Sequence, residues 1–476
     1  MSVHHAMTRM VLARAAGIVV MMVGIAVLGR LLDPAEFGRF AVLVAIYAAA
    51  RTLTEFGLRA YLIRSREVTQ EMLSAAAGLS LAIGIAFCAA GLLCAWLLPA
   101  SVLPPGAAAA LVPLSLALLP APFAMGPEVR LQRDIDFDLI AWIGVWRVVA
   151  DVVVAIMLAL LGFGVVALAG GFLASHATSA AILILLGGHT RRAWPRLGGW
   201  RRFRVFGGQM TVTQVLPDLT EIAITGIVTS LLGAATMGLL NRAQTMQKIV
   251  DRALFEGILP VILPVMSAAL ARGVEPIDVW RRQLGYLTAI CWPAFACIAV
   301  LADPLVAVLL GSDWAAAVPG VRLLALAGLA VPLTKMSQKF FVAVDLVGAF
   351  LRISLVLQVV RLTLVAIAAT ISFEAVCLAV AAGVWWKAGH LLVVLRRKVG
   401  VSVSDLARPA LRGMTLTIAG IAGPVLALGL GLSAPATLIV ALPLALIGWG
   451  AALPAIRHPL GGDLLVALRG LGRQQA

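Results

Sequence analysis

Arg51 and Glu55 stand inside AVLVAIYAAARTLTEFGLRA (residues 41–60), a run apolar enough to cross a membrane. At the centre of a bilayer an ionised side chain costs about 2.5–3.5 kcal/mol on insertion scales, so such residues face a protein interior or a wet cavity. The two are four apart and share one helix face, as do Arg147 and Asp151 in a later run. Two readings stay open. Either each pair neutralises itself and so permits insertion, or it borders water. In the second case Arg51 and Arg147 hold an anion, while Glu55 and Asp151 serve coupling or gating.

A longer pattern lies in Arg242, Thr245, Lys248, Arg252 and Glu256, which recur every three or four residues. On a helix they form a polar stripe about 21 Å long. Such a stripe lines a hydrated cavity, or else closes on itself as a ladder of Lys248 with Asp251 and Arg252 with Glu256. Arg242 and Arg361 have no acidic residue three or four positions away on their own helices. Compensation must then come from another helix, with Asp218 and Glu221 as candidates, or from an anionic ligand. Arginine suits phosphate, because its planar fork binds two oxygens at once.

Other reactive residues point to no catalysis. Cys88 and Cys94, and Cys291 and Cys297, are each six apart and fall on opposing helix sides; Cys377 is alone. All five are read as apolar fillers, and His176 and His390 as packed or hydrogen-bonded. Asp134 and Asp136 imitate metal-binding carboxylates, but they sit in a short loop with no domain to hold a nucleotide, and they offset Arg130 and Arg133. No metal site and no cofactor is predicted, apart from a coupling proton or sodium ion. The segment RRAWPRLGGWRRFR mixes aromatic and basic residues as a nucleic-acid site does; between two apolar runs, anionic lipid is the better partner.

These residues need a membrane scaffold. The 476-residue chain is 62% hydrophobic and 12% charged, against about 25% charged for a soluble domain. Its net charge of +15 is scattered through short loops, not gathered on one soluble face, which argues against nucleic acid as a partner. Fourteen runs near the twenty-residue spanning length are predicted, all helical: 10–29, 38–58, 72–98, 107–127, 139–161, 164–187, 205–231, 236–263, 284–302, 317–334, 353–371, 374–395, 411–432 and 434–456. Of the 37 basic residues, 27 fall on the side that holds both termini and only Arg30, Arg39 and Arg322 on the other. The termini are therefore expected in the cytoplasm.

An internal repeat orders the spans. LLDPAEFGRF at Leu31 recurs as LLGAATMGLL at Leu231, and LGFGVVALAGG at Leu161 as ISFEAVCLAVAA at Ile371. Spans one to six thus match spans seven to twelve as a parallel repeat. The expected organisation is a six-helix bundle over 1–187, a basic linker at 188–204, a second bundle over 205–395 and an appended helix pair at 411–456.

Four segments carry a family resemblance: RLLDPAEFGRFAV, LTEFGLRAYLIRSREVTQEML, SLLGAATMGLLNRAQ and LLGSDWAAAVPGVRLLALAG. In these the chain resembles polysaccharide-biosynthesis flippases, the polysaccharide branch of the multidrug, oligosaccharidyl-lipid and polysaccharide exporter superfamily. The resemblance implies two six-helix bundles forming a V, with a cargo of polyprenyl-diphosphate-linked glycan moved by alternating access. On that reading Arg51, Arg147, Arg242, Lys248, Arg252 and Arg361 border the substrate cavity. Glu55, Asp151, Asp218, Glu221 and Glu256 serve coupling or gating. Membrane lipids, a glycan polymerase and export proteins are the other expected partners. Two alternatives remain: an organic-cation antiporter of the same superfamily, and a membrane glycan polymerase or ligase.

Overall fold

The computed structural model describes residues 3–65, 67–99, 101, 105–133, 137–186, 194–250, 266, 272–343 and 347–462. Each predicted run is helical over most of its described length. The helices are α1 (Val3–Leu31), α2 (Pro34–Glu55), α3 (Leu58–Arg64), α4 (Gln70–Leu97), α5 (Pro105–Leu116), α6 (Ala121–Arg133), α7 (Phe137–Leu160), α8 (Val165–Leu186) and α9 (Arg204–Val250). They continue as α10 (Pro276–Val300), α11 (Ala302–Leu309), α12 (Val318–Gly328), α13 (Val331–Ala343), α14 (Val347–Ala368), α15 (Phe373–Val399), α16 (Val403–Gly429) and α17 (Ala434–Ala455).

Among the described residues nine helices are long and apolar enough to cross a membrane, or up to eleven if each bent pair is one span. The remaining predicted spans are α1, α14 and the second half of α9. A 47-residue helix would run about 70 Å, more than twice a hydrocarbon core, so α9 has to be divided. It is interrupted at Gly233, whose φ of 87° is non-helical.

The expectation of straight spans fails twice, at matching places in the repeat. Residues 107–127 and 317–334 are each expected to form one helix, yet Gly106–Leu116 and Ala121–Arg133 meet at 49°, and Ser312–Gly328 and Val331–Ser337 at 42°. Proline explains both breaks: Pro122 and Pro332 each occupy the second position of the new helix, where the missing N–H costs nothing. Span nine also starts earlier than expected. Its helix α10 begins at Pro276, because the polar turn IDVWRR continues the helical pattern.

The chain divides into two compact units, Met1–Gly238 and Leu239–Ala476. This packing boundary lies beyond the linker expected at 188–204.

In the first unit the repeat becomes a physical contact. Asp33 caps α2 in a reciprocal box with Glu36, with Pro34 as the first helical residue, so LLDPAEFG encodes a sharp helix start. A Cβ on Gly38 would lie 1.7 Å from the Ala234 carbonyl oxygen, and one on Gly238 would lie 1.8 Å from that of Pro34. Gly38 corresponds to Gly238, and Pro34 to Ala234, in the two copies of the repeat. The contact is therefore reciprocal, as across a two-fold axis. Only glycine permits so close a backbone approach.

The second unit is built around Trp280, Phe295, Phe340 and Phe341, all fully buried. Helix α16 packs on α10 through Gly413, whose Cβ position lies 3.1 Å from Thr288 and Trp292 side-chain atoms. Trp449 of α17 donates a hydrogen bond to the Ala289 carbonyl at 2.8 Å, so the appended pair is bound to the bundle by small-residue packing and a buried donor.

Candidate functional site

Helix α2 ends at Glu55 because the next two residues take left-handed backbone angles, Phe56 at φ 40° and Gly57 at φ 62°. Glycine adopts this readily; phenylalanine does so at a cost of about 1 kcal/mol or more. Packing holds it there: the Phe56 ring fills the space over Gly207 of α9, whose Cβ position is 2.6 Å from the ring. The short helix α3 that follows is anchored by the fully buried Leu58 and Leu62, beside Phe203. The EFG segment is thus a fixed elbow that carries Arg59 back toward Glu55.

A ladder of charges results. Arg51 Nε donates to Glu55 Oε1 at 3.0 Å, and Arg59 Nη2 lies 3.7 Å from the same oxygen. Arg59 Nη1 lies 2.9 Å from Glu128 Oε1 on α6. These four side chains keep between 26 and 36% exposure, so the ladder borders open space instead of being sealed in a core. Thr52, on the same helix, donates to Asp218 Oδ2 of α9 at 2.5 Å.

Next to the ladder is an aromatic group. The Tyr47 ring meets Phe172 edge-on at 4.9 Å and His176 at 5.7 Å. His176 Nδ1–H donates to the Phe172 carbonyl at 2.9 Å, which fixes the tautomer. Its Nε2 then has a lone pair with no hydrogen-bond partner among the described residues. Arg51 and Arg147 both lie within electrostatic reach of Tyr47 and His176.

The first unit therefore assembles Arg51, Glu55, Asp218 and Arg147 of the predicted residues in one neighbourhood. Asp151 lies at the α7–α8 packing contact, its Oδ1 2.8 Å from the Cβ position of Gly171, and Glu221 is half-buried one turn beyond Asp218. In the second unit Arg242 is half-buried with Nη2 donating to Asn241 Oδ1 at 2.9 Å, and Lys248 is exposed. The Arg361 stem lies over Gly383 of α15 at 3.9 Å. Arg252 and Glu256, with Asp251, lie outside the described residues, as do Asp134 and Asp136.

Arg59, Glu128 and Thr52 are residues of this neighbourhood that the sequence does not single out, whereas His176 is hydrogen-bonded and packed as expected. Arg59 is four residues from Glu55, but the Phe56–Gly57 break hides the spacing. Glu128 and Asp218 reach the site from distant helices, which no local periodicity reveals. Of the linker, Arg196 N–H donates to the Ser74 carbonyl at 3.0 Å and Arg202 pairs with Glu71 at 2.5 Å, so its second half is docked on α4.

Among the described residues the protein is multi-pass and all-helical, with a repeated turn, broken helices at matching positions and charges inside its spans, a combination found in folds built from internal repeats. It superposes on the lipid II flippase MurJ in an inward closed conformation with a TM-score of 0.73 and 10% identity, over 95% of this chain and 99% of that one. An outward-facing multidrug resistance transporter of the multidrug and toxin extrusion (MATE) family matches with a TM-score of 0.56 and 16% identity, over 83% of this chain and 95% of that one. Residues 27–319 match the family described as polysaccharide biosynthesis protein, and the chain belongs to that family. It is 25% identical to the lipopolysaccharide biosynthesis protein WzxC of Escherichia coli K12 over 65% of its length, and 24% identical to the succinoglycan biosynthesis transport protein ExoT of Rhizobium meliloti over 64%. The matches span 63% and 62% of those two relatives.

Proposed function

We propose that the chain moves a polyprenyl-diphosphate-linked glycan repeat unit across the cytoplasmic membrane by alternating access, without catalysing a covalent step. The observation that carries this reading is the partly open ladder Arg51–Glu55–Arg59–Glu128 inside apolar helices of a member of this family. A guanidinium that must exchange a carboxylate for a diphosphate is a two-state element, biased by the substrate. Relatives named for polysaccharide transport and a fold shared with a lipid II flippase support the cargo class. Arg51, Arg59 and Arg147 are the head-group contacts in the first unit, and Arg242, Lys248 and Arg361 their counterparts in the second. Glu55, Asp151, Asp218 and Glu221 act in coupling to a proton or sodium gradient. Both termini lie in the cytoplasm, and the surrounding lipids, a glycan polymerase and export proteins are the partners.

The reciprocal glycine contact supplies the outer closure. Gly38 and Gly238 allow the two outer turns to meet; when they separate, the cavity opens outward.

Deleting the gene and extracting polyprenyl-linked sugars tests the function. Complete single repeat units should accumulate on the inner leaflet. Accumulation on the outer leaflet would indicate a polymerase, and unchanged lipid intermediates with increased sensitivity to organic cations would indicate an antiporter. Either result rejects the proposal.

A further inference from the structure

The second unit contains a cavity of about 380 Å³ where the start of α10, the start of α16 and the residues after α17 come together. Four arginines line it, Arg281 and Arg282 from α10 and Arg408 and Arg412 from α16, with Asp278 as the acidic member. Four positive charges against one leave a surplus of three; counting Asp405, which lies 3.4 Å from Arg281, leaves two. Arg281 is held by Asp278 at 2.6 Å and by Asp405, itself fixed in a capping box with Ser402. Arg282 lies over the Tyr286 ring, 5.9 Å from its centroid. Arg408 and Arg412 are four apart on one face of α16, and among the described residues neither has an acidic partner within ion-pair distance. Arg282, Arg408 and Arg412 are exposed and carry like charges, so an anion seated among them meets a concentrated positive field.

We propose that this cavity binds the phosphate head group of an anionic phospholipid, with a two-phosphate head group matching the surplus charge best. Guanidinium forks bind phosphate oxygens in pairs, and basic pockets between the ends of spanning helices are suited to such head groups. The surroundings favour a lipid over a dissolved phosphate. Leu411, Met414 and Ile418 follow Arg408 at helical spacing along α16 and are 63, 56 and 60% exposed, which gives acyl chains a track leading away from the arginines. His458 lines the same cavity. Its Nδ1 accepts the Leu460 N–H at 3.2 Å, leaving Nε2–H to donate. The leaflet concerned is the cytoplasmic one if the proposed orientation holds; the site itself does not depend on the transport reading.

The test uses the full-length protein in phosphatidylcholine nanodiscs, with and without cardiolipin or phosphatidylglycerol, read by thermal unfolding and by lipid retention in native mass spectrometry. Cardiolipin should raise the unfolding temperature of the wild type more than phosphatidylglycerol does. Arg408→Gln/Arg412→Gln should weaken retention by about tenfold or more, since a single charge-assisted hydrogen bond to phosphate contributes about that factor to affinity. Gly285→Leu keeps every charge but fills the cavity, because a Cβ there already lies 4.0 Å from Pro409, and it should also reduce retention. Equal stabilisation of wild type and both variants by cardiolipin would overturn the proposal, as would stabilisation of equal size by inorganic pyrophosphate alone.

Discussion

The two units treat charge in opposite ways. In the first, every arginine of the ladder has a carboxylate, and the cavity beside Tyr47, about 260 Å³ between α2, α4 and α5, is lined almost wholly by apolar side chains. In the second, the arginines of the 380 Å³ cavity outnumber its carboxylate four to one. A paired ladder can insert and wait for a substrate to displace one partner, whereas an exposed surplus attracts a counter-charge from outside the chain. Charge balance, more than charge content, therefore separates a moving contact from a standing one.

The sharpest way to break this comparison is steric. Gly238→Val places a side chain where the Pro34 carbonyl sits, so transport should fall at least tenfold while the protein still inserts. Cysteine crosslinking between the two outer turns should drop in parallel, and undiminished transport would show that the turns need not meet. Next in size is Glu128→Gln, which removes one carboxylate from Arg59. It should cost about 1–3 kcal/mol of stability, measured by thermal unfolding in detergent. Arg412→Gln should do the opposite in lipid-free detergent: removing a charge from the surplus leaves stability equal or higher. If both substitutions destabilise equally, the contrast between the units is false.

The smallest effect is a pH dependence. Burial and the nearby Arg412 charge push the His458 pKa below its ordinary value. The unfolded chain then binds the extra proton more readily, so the stability this site contributes is present above pH about 6.5 and is lost as pH falls through the depressed folded value. Arg281, Arg282, Tyr286, Asp278 and Arg408 also line its cavity. Arg412→Gln removes the smaller of the two causes and should make the acid limb of the unfolding temperature below about pH 6.5 shallower. An unchanged limb would place the effect elsewhere.

Helix type and order follow from hydropathy, since a continuous apolar run of about twenty residues satisfies its backbone in lipid as a helix, whereas a barrel strand is shorter and alternates. The repeat at Leu31 and Leu231 also has its physical counterpart, because glycines that must touch leave a mark in both copies. The bends at Pro122 and Pro332 are written in the prolines but hidden by unbroken apolar runs. The ladder is half readable: Arg51 and Glu55 share a helix, whereas Arg59 lies past a left-handed elbow and Glu128 on another helix. The basic cavity is least readable. Its arginines lie at the starts of two helices, in stretches that the sequence reads as loops, and only packing of α16 on α10 brings them together.

The most direct measurement is flipping by purified protein in liposomes loaded with a fluorescent polyprenyl-diphosphate glycan, scored by its accessibility to an impermeant quencher. Wild-type protein should move the lipid across and Glu55→Gln should slow it severely, with both equally folded. Movement no faster than in protein-free liposomes, under any proton or sodium gradient, would contradict the account.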